Sequence, residues 1–161
     1  MNSPEIPESD PIPSAPTANV DTGAIGKAIQ VLLSSNILTD PTDKRIIGEA
    51  TQFLESSAEP DNLSEITKQA SAVAEVMSGF DMQGIAVPRA IDFIYLKLTV
   101  LEYRHHVNTV KVELAKSSPD KVVMQQPMRL ALGVAKILAK GYENASYLTE
   151  VQALQLQIDQ L

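Results

Sequence analysis

The chain contains no cysteine, which excludes disulfides and thiolate metal sites. It contains no tryptophan, and aromatic residues make up only 4% of it. A core must therefore come from Leu, Ile, Val and Ala, side chains that suit helix-on-helix packing. No apolar run approaches the ~18 residues of a membrane-spanning helix. The N-terminus has no basic stretch leading into an apolar one, so no signal peptide is expected. There is no Gly-rich phosphate loop, no G-x-S-x-G turn and no cysteine nucleophile. These absences lead to the expectation of a non-enzymatic, cytoplasmic protein without cofactor or bound metal.

What is present is one long apolar-patterned stretch. Residues 88–116 read PRAIDFIYLKLTVLEYRHHVNTVKVELAK, with no Gly or Pro after Pro88. At about 100° of turn per residue the spacing predicts a helix with two apolar seams. Ile91, Ile94, Leu98, Leu101 and His105 form one. Phe93, Leu96, Val100, Tyr103, Val107, Val110 and Leu114 form the other, roughly on the opposite side. A surface helix has one apolar stripe, so a helix with two must be covered from two directions. Both seams are therefore candidate interfaces, either to the chain's own helices or to a partner.

The 161 residues are enough for one domain with a real core. The pattern predicts an all-α bundle of five to seven helices around the long central helix. Residues 1–20 carry five of the ten prolines together with Glu5, Glu8 and Asp10. That composition predicts a disordered acidic tail. A single helical domain is expected over residues 21–161, with three short helices in 21–80 and the long helix plus C-terminal helices in 88–161.

Local signals place the boundaries. Asp40 and Pro41 open a helix as N-cap and first residue. Asp61 or Asn62 caps the next, and Gly79 is its expected stop. Pro127 either kinks one helix or begins a second. Gly141 ends that segment, and Asn144 is the candidate cap of the last helix. There Val151, Leu154 and Ile158 continue an apolar face and are further interface candidates.

His105 and His106 are the only histidines and the only imidazole candidates for a metal. Glu102 and His105 make one Glu-x-x-His step, but a helical di-metal site needs two such steps. His105 on the first seam is better explained as a polar-tipped core or interface residue. His106 is expected on the exposed side, one turn after Glu102, in an ion pair.

Net charge is −7, unevenly placed. Residues 1–80 hold 12 acids and 4 bases, whereas residues 89–140 hold 9 bases and 4 acids. Lys97, Arg104 and Lys111 recur at seven-residue spacing, and Arg129, Lys136 and Lys140 follow on the next helix. Together they predict a basic strip, able to contact phosphates or to pair with the acidic first half. The leading expectation is a self-associating scaffold, adaptor or assembly protein, a homo-oligomer or the holder of a protein partner. A helical nucleic-acid-binding protein and a small regulatory protein-binding module are the alternatives.

Overall fold

A computed structural model of the chain describes residues 22–56 and 62–161. The expected acidic tail and the Glu59–Asp61 turn lie outside the described residues. Within them are six α-helices and no strand: α1 (Thr22–Leu33), α2 (Pro41–Ser56), α3 (Leu63–Met82), α4 (Arg89–Leu114), α5 (Lys121–Gly141) and α6 (Ser146–Asp159). The protein is an all-α helical bundle, and no described helix is long and apolar enough to cross a membrane.

Side chains start three of these helices by satisfying orphan N–H groups of the first turn. The Thr42 N–H donates to Asp40 Oδ1 at 2.8 Å. The Glu65 N–H donates to Asn62 Oδ1 at 3.2 Å, and the Val122 N–H to Asp120 Oδ1 at 2.9 Å. Asn144 works differently, because α6 begins two residues later. Its Oδ1 accepts from the Ser146 N–H and hydroxyl, closing a turn ahead of the helix. Pro88 likewise precedes α4, and its carbonyl accepts from the Asp92 N–H at 3.2 Å.

One helix stop differs from the expectation, and α5 ends at Gly141 as expected. α3 runs through Gly79 to Met82, and the reversal comes at Gly84, whose φ is 70°. The Ile85 N–H reaches the Phe80 carbonyl and the Gly84 N–H reaches that of Asp81. This pair of bonds needs a left-handed residue after the cap, which Gly79 is not. α5 ends the same way, but the left-handed residue is Glu143, with φ 52°. An L-residue pays about 1–2 kcal/mol for that conformation. Glu143→Gly is therefore expected to raise stability by roughly 0.5–1 kcal/mol, the remainder being lost to the freer unfolded chain. Urea denaturation of the two proteins measures the difference.

Pro127 does not begin a helix of its own. It lies inside the continuous α5 and lacks the N–H that would bond the Val123 carbonyl.

The chain packs as two compact units, and their boundary falls inside α4, between Leu98 and Thr99. In the first unit α1 packs on α2 and α2 on α3. Its core gathers Ile29, Leu38, Ile47 and Val73 around Ile91, Ile94 and Leu98 of α4, all essentially without solvent exposure. In the second unit α5 packs on α6. Tyr103 of α4 meets Tyr147 of α6 edge-on, with ring centroids 5.2 Å apart, and Tyr142 stacks on Tyr147 at 6.3 Å.

Candidate functional site

The two seams of α4 are largely consumed by the chain's own packing. Ile91, Ile94, Leu96, Leu98, Val100, Leu101, Tyr103, Val107 and Val110 are buried, as are Val151, Leu154 and Ile158 on α6. Phe93, His105 and Leu114 are half-buried. Surfaces open to a partner therefore lie elsewhere.

The buried face of α4 also turns along its length. Toward the C-terminus it follows Thr99, Tyr103, His106, Val110 and Glu113, spaced 4-3-4-3 and at most 6% exposed. This corrects the placement of His106, which was expected on the exposed side. His106 is buried and His105 is half-buried, and no ion pair joins His106 to Glu102. The spacing was present in the sequence, but three of the five residues are polar, so counting apolar positions misses it.

The buried polar groups shape the second unit. Glu113 accepts the Asp120 N–H at 2.9 Å and the Lys116 ammonium at 2.9 Å, tying the end of α4 to the start of α5. Those donors hold its carboxyl below the usual range. The Tyr103 hydroxyl donates to Glu150 on α6, and Lys111 pairs with the same carboxylate at 3.1 Å. Burial, then the Glu150 contact, pushes the Tyr103 phenol well up. Burial raises the half-buried Glu102 carboxyl.

Burial lowers the His106 imidazole from its ordinary 6.5, and His105 beside it adds to the effect. The unfolded chain then takes up a proton that the folded chain refuses. Stability is expected to fall as pH drops from about 6.5 toward the lower folded value. Chemical denaturation at pH 7.5 and 5.5 should show this loss in the wild type and a smaller one in His106→Gln. Equal losses in both proteins would sink the assignment.

The basic strip divides between two helices. On α4, Lys111 is held by Glu150, and Lys97 and Arg104 are half-buried with interaction partners of their own. On α5 the cations are exposed, and the helix carries no acidic residue. Lys121, Gln125, Arg129, Leu132, Lys136 and Lys140 follow one another at spacings of 4, 4, 3, 4 and 4, one line along the helix. No ion pair involves its four cations among the described residues.

The first part of this line is one wall of a half-open groove of about 550 Å³ between α5 and α6. Met124, Met128, Val151 and Ile158 supply its apolar lining, and Gln125, Gln152 and Gln155 its amides. The acid at the groove, Asp159, accepts a hydrogen bond from Gln155 at 2.8 Å. Roughly opposite the groove, α5 exposes a second line. Val123, Leu130 and Ile137 are 48%, 42% and 41% exposed at seven-residue intervals.

Among the described residues no three His, Asp or Glu side chains form a group able to hold a metal ion. No family model, curated protein or solved structure matches the chain.

Proposed function

We propose that the protein is a non-enzymatic, self-associating helical scaffold or assembly protein of the cytoplasm, with the outward line of α5 as its contact surface. The observation supporting this is the exposed Val123–Leu130–Ile137 line. Seven-residue spacing is the repeat by which two helices keep one seam in contact. The line is also self-complementary. Val123 and Ile137 lie seven residues to either side of Leu130. An antiparallel copy of α5 therefore meets Leu130 with Leu130 and Val123 with Ile137, as a two-fold contact requires. Gly133 beside the line has open space around it, which lets a second backbone approach. Lys121, Arg129 and Lys136 sit roughly 100° or more round the helix from the nearest seam residue, and Lys140 alone borders the seam, beside Ile137.

Three partly exposed side chains fall short of the ~800 Å² per partner of a stable complex. The expected outcome is thus a weak, concentration-dependent dimer. Light scattering across a dilution series should show mass rising with concentration. Leu130→Gln, placed on the two-fold axis, should remove the rise without changing the circular dichroism. A monomer at every concentration would overturn the proposal.

A second reading rests on the unpaired cations of α5. If these bind nucleic acid, the wild type should retain duplex or single strands at low salt. A variant with Arg129, Lys136 and Lys140 replaced by Gln should lose them, with the salt slope falling by roughly 0.7–0.9 per lost contact. No aromatic side chain is interleaved with the cations to stack on bases, which favours the protein contact.

A further inference from the structure

The groove between α5 and α6 is a different surface from the seam just described, and both its walls belong to one compact unit. Its volume of about 550 Å³ suits a small ligand or a short stretch of peptide. Three features of the lining decide between them.

The first is charge. Lys121 and Arg129 stand on the α5 rim, exposed and without an ion pair among the described residues. α5 has no acid, and Asp159 at the end of the groove accepts a hydrogen bond from Gln155. The unmatched charge is therefore positive, and an anionic ligand complements it. The second is the floor. Met124 and Met128 lie between the two cations along α5, with Val151 and Ile158 on α6. That floor is aliphatic, and methionine reshapes readily around what it contacts. The third is the amides. Gln125 stands on one wall, Gln152 and Gln155 on the other, all exposed. Each has donors and an acceptor that lose water when the groove is filled.

The simpler occupants leave one of these features unmatched. An acyl chain with a carboxylate suits the floor and one cation, but it strands the three amides without hydrogen bonds. A helix spends its backbone groups on itself and offers the amides nothing along its middle. A nucleic-acid strand supplies phosphates but finds no aromatic ring in the lining to stack on. An extended peptide matches all three. Its backbone N–H and C=O groups point sideways to both walls, while its side chains alternate between floor and solvent.

We infer that the α5–α6 groove binds an extended acidic segment of a partner protein, with the pattern acid, aliphatic, any residue, aliphatic, acid. The spacings carry the pattern. Met124 to Met128 is about 6 Å along α5, and Lys121 to Arg129 about 12 Å, at ~1.5 Å per helical residue. In a strand, at ~3.3 Å per residue, side chains two apart are separated by about 6.6 Å and those four apart by about 13 Å. Aliphatic side chains at the second and fourth positions then point down over the two methionines. Acids at the first and fifth positions point the other way, to the rim, where they meet Lys121 and Arg129. A contact of five residues is small, which makes it a weak and reversible one.

The test uses the full chain and a fluorescein-labelled peptide, Glu-Leu-Thr-Leu-Glu between glycines, read by anisotropy. Binding should saturate, and it should weaken as salt rises. The scrambled peptide Leu-Glu-Thr-Glu-Leu should bind at least about tenfold more weakly, the cost of taking one leucine off the floor. Lys121→Gln with Arg129→Gln should weaken the first peptide by about two- to thirtyfold, the range for two exposed ion pairs, with circular dichroism unchanged. Transferred NOEs of the bound peptide should show the strong sequential Hα–HN contacts of an extended chain. Leu130→Gln should bind like the wild type, which separates this inference from the self-association seam. Loss of binding in Leu130→Gln would put the peptide on that seam instead. No saturable binding, or equal binding of the two peptides, would overturn the proposal. So would the HN–HN contacts of a helix, or displacement of the peptide by a lower concentration of dodecanoate, which would give the groove to an acyl carboxylate.

Discussion

Leu98→Ala should cost about 2–5 kcal/mol, and Val107→Ala about 1–3 kcal/mol. Both positions are shielded, at 0% and 3% exposure. Leu98 belongs to the core that joins α1, α2 and α3 to α4, where Ile91 and Ile94 are equally inaccessible. Close packing leaves neighbours little room to collapse into the space of a lost isobutyl group. Val107 lies in the second unit and removes fewer atoms. Since a domain's net stability is only about 5–15 kcal/mol, Leu98→Ala takes a large share of it. Denaturant titrations of each variant supply the numbers. Two near-neutral results would mean that α4 is solvated and that the core has been misassigned.

Thr99→Pro should do more damage still. Thr99 is 1% exposed and opens the second unit's share of α4. Proline there removes one helical hydrogen bond and clashes with the carbonyl four residues earlier, at a cost of about 3 kcal/mol or more. Loss of the buried Thr99 side chain adds to that. The position belongs to a helix that both units use, so the kink misaligns residues on either side of it. Far-UV circular dichroism and melting should show loss of helix well beyond α4. Pro127 is the internal comparison. It sits nearer the start of its helix and on a partly exposed position. A Thr99→Pro variant that melts like the wild type would contradict the central place given to α4.

Most of the helical framework was legible because its signals are local. Asp40 and Asn62 cap where the sequence places caps, and the seam of Ile91, Ile94 and Leu98 packs as its spacing requires. The stop at Gly79 was misjudged, and the left-handed turn after α5 was not foreseen, for one cause. Gly79 can be held inside a helix at modest cost, while Glu143 can be forced into a left-handed turn by its neighbours. Composition alone does not reveal either. His106 was misplaced because the buried face of α4 turns along the helix, from Ile91, Ile94 and Leu98 to Tyr103, His106 and Val110. A single straight seam drawn from Ile91 therefore reaches His105 instead of His106. The partition of the basic strip was not legible either. Glu150 holds Lys111 across 39 residues of sequence, and helical periodicity says nothing about such pairs.

The position of the unit boundary bears on where the chain can be cut. A division between compact units normally runs through loop, and severing it frees two pieces that each keep their helices. Here a break between Leu98 and Thr99 splits α4 into Arg89–Leu98 and Thr99–Leu114, pieces of 10 and 16 residues. Isolated helices of about 12–15 residues or fewer hold poorly in water, and the new ends add unsatisfied carbonyls and N–H groups. Moving the break to the loop before Arg89 strips Ile91, Ile94 and Leu98 from the first core. Moving it beyond Leu114 strips Tyr103, Val107 and Val110 from the second. Split reporters, fragment expression and permuted termini thus have no neutral site at the join.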